Sequence, residues 1–226
     1  MQLRVHSSVY NQGEMSDTLY LSLWYPNLRV TSLAEKLTAV LGAFAGHGGE
    51  AKVYSATVWP VSWKESPVFQ QVYGRRVGRG DSDAVELGAE PGMAVEDALE
   101  LLHDDYAYEF QIGWSLWEAE VDDRKASWRQ QMRLVRVVGY GPLFDDGAYE
   151  TEGHIRVDFG TDTPFLEEEV ELNSETAERV EENVRQLVNL TNAIEEESGA
   201  TARLLWSELG ESLAHRLAAR LGARTN

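Results

Sequence analysis

Leu19, Leu21 and Leu23 alternate with Tyr20, Ser22 and Trp24, a period of two that predicts a strand ended by Pro26-Asn27. The period then lengthens: Leu33, Leu37, Val40, Leu41 and Phe44 share one helical face. Ser32 and Glu35 have capping-box spacing at the start of that helix, and Gly46, Gly48 and Gly49 stop it. Residues 52–59, β-branched and aromatic, read as a second strand. Residues 19–59 thus predict a β-α-β unit, with residues 3–9 as an added edge strand. Between Pro60 and Met93 the periodicity fades around a Gly/Arg loop at 74–80.

A short helix is expected over 93–102, with Val95, Ala98, Leu99 and Leu102 inward. The clearest strand follows: Tyr106, Tyr108, Phe110, Ile112, Trp114 and Leu116 fall on one face, as in an antiparallel strand packed on one side. Residues 132–138 and 154–159 add strands, with turn chemistry at Asp145-Asp146-Gly147 between them. Asn173-Ser174 can cap a long helix to about residue 197, acidic on its outer face. Residues 202–221 form either one amphipathic helix or a strand at 203–206 and a helix from 211. Gly210 costs about 1 kcal/mol inside a helix, which favours the second. The fold class is α+β: a mixed or mostly antiparallel sheet with helices on one face and a long amphipathic helix near the C-terminus. Residues 1–226 read as a single domain, divisible into a β-α-β unit (1–80) and an acidic sheet with C-terminal helices (81–226).

Charge changes the picture of the surface. Residues 1–80 carry eight Lys/Arg against five Asp/Glu, leaving twelve against thirty-three in residues 81–226 and a total of −18. Seven Trp, nine Tyr and six Phe place this charge on a folded body, not a disordered tail. Such a surface repels nucleic acid and anionic membranes and steers basic partners inward. Cysteine is missing, which removes disulfides and thiolate chemistry. Neither a signal-peptide h-region nor a bilayer-spanning apolar run is present, so a cytoplasmic protein is expected.

Candidate chemistry is sparse. His103-Asp104-Asp105 could serve acid/base or metal chemistry, but the end of a helix accounts for all three residues. His154, Arg156 and Asp158 share a strand face, and Asp158 and Asp162 flank Gly160 more widely than calcium ligation requires. Lys125 after Asp122-Asp123-Arg124 fits a polar hairpin connection, and the adhesion-like tripeptide Arg79-Gly80-Asp81 fits chance. Nucleophile-elbow, P-loop and dinucleotide motifs are missing, as are paired metal-binding histidines. This argues against an enzyme, and no metal or cofactor is expected.

What remains is surface. Asp145, Asp146, Glu167, Glu168, Glu169 and Glu171, with Trp117 as an aromatic anchor, are the candidate partner-binding residues, the Glu167–Glu169 triplet being expected to be exposed. In size, acidity, lack of cysteine and Trp-rich α+β texture the chain resembles immunity proteins of bacterial polymorphic-toxin and type VI secretion systems. Within them it resembles the immunity protein 52 family, most in residues 156–166 and 204–217. That resemblance implies a binding protein that occludes a cognate basic toxin, a nuclease. Two other readings stay open: a small-ligand binder or hydrolase using His103/Asp104 and His154/Asp158, and an adaptor subunit of a phage or secretion assembly.

Overall fold

A computed structural model of the chain describes residues 17–74, 88–122, 125–168, 170–171, 173–210 and 212–222. The expected edge strand at 3–9, the loop at 75–80, the onset of acidity at Asp81, the Asp123-Arg124 pair and Glu169 lie outside the described residues.

Strands β1 (Thr18–Trp24), β2 (Val53–Pro60), β3 (Phe69–Val72), β4 (Tyr106–Asp122), β5 (Lys125–Tyr140), β6 (Ile155–Thr161) and β7 (Ala202–Ser207) form one sheet. Its order is β3-β2-β4-β5-β6-β1-β7, and every neighbouring pair is antiparallel. β1 and β2 are therefore not adjacent, as a simple β-α-β unit would have them: β4, β5 and β6 lie between them. Strands from residues 1–80 and 81–226 interleave in this sheet.

Three helices cover one face: α1 (Leu33–Gly42), α2 (Pro91–Leu99) and α5 (Ser174–Ser198). The predicted stripes supply the core, in which Leu21, Leu23, Leu37, Val40, Phe110, Ile112, Leu187 and Ile194 are all buried. Trp114 lies at its centre, against Phe44, Phe159 and Phe165, and donates its indole N–H to His47 O at 2.6 Å. The other face carries a smaller aromatic core. There the short helix α3 (Ala148–Thr151) and a 3-10 turn at Phe144–Asp146 bring Phe144 and Tyr149 onto Tyr140 and Trp63.

Local signals succeed where they need only local partners. Asn173 caps α5, its side chain accepting from Thr176 N–H at 2.9 Å. The strand-then-helix reading of the C-terminus holds as β7 and α6 (Leu213–Gly222), with Gly210 at φ 75° between them. The capping box does not form. Ser32 closes a 3-10 turn over Val30–Ser32 and makes no side-chain cap, while Glu35 pairs with Lys36. β3 lies in the stretch where periodicity fades, because a four-residue edge strand that is half-buried only at Phe69 and exposed from Gln70 to Val72 leaves no alternation.

Candidate protein-interaction surface

β2 pairs with β4 only as far as Ile112, and β6 with β5 only from Arg136 onward. Beyond those points β4 and β5 continue as a two-stranded arm, which alone would be marginal in water. Side chains and the Gly48 carbonyl, not a further strand, close the arm's β4 edge. Asn183 on α5 accepts from Trp117 N–H at 2.9 Å and donates to Trp117 O and Pro164 O, both at 2.8 Å. Gln186 donates to Ser115 O at 2.9 Å, and Ser115 N–H donates to Gly48 O at 2.6 Å. Gly48, at φ 90°, has no room for a side chain beside Gln186 and Ser115. Glu167 Oε1 accepts from Ala119 N–H at 3.3 Å.

Glu167 is consequently buried, at 6% exposure, and the expectation of an exposed triplet is corrected at this residue. It ends the short helix α4 (Thr163–Leu166) in the left-handed conformation, φ 43°, which aims its carboxylate at the open strand edge. Glu168 is half-buried and pairs with Arg216 of α6 at 3.0 Å. Arg216 also pairs with buried Asp162, whose carboxyl is pushed up by burial, an effect that Arg216 opposes. Arg220 donates to the carbonyls of Leu166, Glu167 and Val170, so two arginines one turn apart fasten α6 across the acidic turn. Trp117 is half-buried under Arg179, whose guanidinium sits 4.0 Å from the ring centroid and pairs with Glu182 at 3.2 Å. A tryptophan so covered stiffens the corner and offers a partner little free ring.

Outward from this corner the carboxylates are bare. Glu171, Glu175 and Glu178 are exposed, and no described residue pairs with their side chains. Asp145 and Asp146 are exposed too, at φ 45° and 49°, but they belong elsewhere. Asp145 N–H donates to Val61 O beside the start of β4, whereas Glu167 meets Ala119. The thirteen residue steps from Tyr106 to Ala119 span about 40 Å of extended strand, so these are two patches.

The histidine candidates are not brought together. Buried His154 stacks on Tyr149 at 4.0 Å and accepts from Tyr25 N–H at Nδ1, 3.0 Å away. Burial lowers its pKa, against a smaller opposing pull from Glu150. Asp158 pairs with Arg136 at 3.4 Å and accepts from Gly160 N–H at 2.9 Å. His103 lies tilted against Tyr106 with ring centroids 4.5 Å apart, and its backbone N–H donates to the Tyr108 hydroxyl. Among the described residues nothing joins His103 or Asp104 to His154 or Asp158, and no group of three His, Asp or Glu is placed to hold a metal ion.

Sequence reasoning passed over Asn183, Arg179, Arg216 and Arg220. Asn183 did leave a signal, as a polar residue on the buried face between Val180 and Leu187. So did Arg216 and Arg220, four apart on a helix otherwise rich in Leu and Ala. Among the described side chains, only Arg29 and Lys64 are basic and lack an acidic, carbonyl or aromatic partner. The cations are turned to internal pairing, and the surplus carboxylates set the outward field. Compared with known proteins, the chain matches no family model, no curated protein and no solved structure at a significant level.

Proposed function

We propose that this chain is an acidic binding protein that neutralises a cognate basic toxin, a nuclease effector, by direct occlusion. The carrying observation is the division of charge: apart from Arg29 and Lys64, the described cations are held in pairs within the chain, while Glu171, Glu175 and Glu178 face solvent with no partner among the described residues. Exposed carboxylates at the start of α5 and just before it attract a cationic groove over roughly a Debye length, about 8 Å at physiological salt. Such steering raises association rates well above the neutral range and fades as salt rises. A nuclease needs a cationic groove for its own substrate, so occluding that groove removes its activity.

Two measurements test this reading. Cells carrying the toxin encoded next to this chain should survive with it and die without it. Equal killing in both cases defeats the proposal. In vitro, Glu171→Lys/Glu175→Lys/Glu178→Lys should slow association with that toxin about tenfold at low salt and flatten its salt dependence. Unchanged rates at low salt would remove this patch from the interface.

A further inference from the structure

The seam between α1 and α2 opens outward as a groove of about 660 Å³. Ala34, Ala39, Val95 and Leu99 form its apolar lining. Three carboxylates line it as well, Glu35, Glu96 and Glu100, and no basic residue does. Among the described residues nothing pairs with exposed Glu96 or Glu100, and Glu35 has a solvent-exposed pair with Lys36, 3.3 Å away. Surface pairs of that kind are weak and leave the charge available to another cation.

We infer that this groove receives a basic amphipathic helix of the partner. The inference rests on the proposed neutralising function and specifies which element of the toxin is held. The groove's walls decide against an extended segment. Both are helices whose backbone groups are bonded internally, so a strand laid between them would bury N–H and C=O groups without partners. A helix satisfies its own backbone and presents apolar side chains at i, i+3, i+4 and i+7. α1 and α2 have ten and nine residues, which gives walls about 14 Å long, enough for two to three turns of a docked helix. Charge selects among helices. Lys or Arg flanking the apolar stripe would lie over Glu35, Glu96 and Glu100. A second copy of this chain would instead bring its own net charge of −18.

Gly92 allows a clean test, because a Cβ placed there meets nothing within 4 Å and the residue is exposed on the groove wall. Fluorescence anisotropy of the full chain would use three labelled 18-residue helical peptides. They share one leucine stripe and carry Lys, Gln or Glu on their flanks. The Lys peptide should bind tightest, and the Glu peptide at least tenfold more weakly. Gly92→Trp, which fills the groove, and Glu96→Lys/Glu100→Lys should each weaken the Lys peptide at least tenfold. Glu65→Lys/Glu150→Lys, an equal charge change on exposed residues outside the groove, should weaken it less than threefold. The inference is overturned if the Glu peptide binds as tightly, if Gly92→Trp leaves the affinity unchanged, or if both double reversals weaken binding alike. Should tryptophan disturb α2, the charge reversals on exposed residues decide alone. Killing of cells despite the wild-type chain counts against the neutralising function. Full protection by the Gly92→Trp chain counts against the groove alone.

Discussion

The β4 edge of the arm and the outer edge of β7 solve the same problem in opposite ways. Unpaired backbone groups on a strand edge invite another chain. On the arm Asn183, Gln186 and Glu167 take up those groups, and the strand is withdrawn from further pairing. β7 is the last strand of the sheet among the described residues. Leu204 and Leu205 stand exposed on its two sides, and its single charge, Arg203, is drawn to Glu195 and Asn192. The contrast shows what a buried acidic residue is for in this fold. Glu167 belongs to the charge surplus by composition, yet in the structure it completes an edge and cannot serve as a docking carboxylate.

Four predictions bear on this contrast. Glu167→Lys should have the largest effect, about 3–5 kcal/mol of lost stability, because it buries an unpaired cation among Arg216, Arg220 and a strand edge. Urea unfolding measures it, and a loss below about 1 kcal/mol would show that Glu167 is solvated after all. Asn183→Leu keeps the volume but strands the Trp117 amide and two carbonyls, for about 2–4 kcal/mol. Amide hydrogen exchange should then rise along residues 113–119 and stay unchanged in β7.

The third concerns pH. Burial holds the pKa of His154 below its ordinary value, so between the folded and unfolded pKa values the unfolded chain binds the extra proton. Stability is therefore full above about pH 6.5 and falls as the pH drops below it. His154→Asn, which can still accept from Tyr25 N–H, should remove that slope. A slope that persists in the variant assigns the titration to another group. The smallest effect belongs to the open edge: Leu204→Lys should change stability by less than about 0.5 kcal/mol in the same urea titration. A larger loss would mean that the β7 edge is covered.

Much of the fold was legible because period and packing coincide. Leu19, Leu21 and Leu23, the Tyr108–Leu116 alternation and the α5 stripe are buried as their spacing requires. The Asp145-Asp146-Gly147 turn was legible too, since left-handed backbone favours those residues. The candidate surface was less so. A carboxylate in a sequence does not reveal whether an arginine fifty residues away will claim it, as Arg216 claims Glu168 and Asp162. Nor does a tryptophan reveal whether a guanidinium will cover it, as Arg179 covers Trp117.

By itself, then, the sequence determined the α+β class, most of the helices and strands, the α5 cap and the sign of the surface. These depend on residues within a few positions of one another and on a simple count of charges. The tertiary structure decided the strand order, the separation of Asp145 and Asp146 from the Glu167–Glu171 turn, and the burial of Glu167. It also paired most of the described cations within the chain and left Glu171, Glu175 and Glu178 exposed. Those outcomes follow from contacts between distant segments, where desolvation and hydrogen-bond satisfaction select the partners and local periodicity carries no record of the choice.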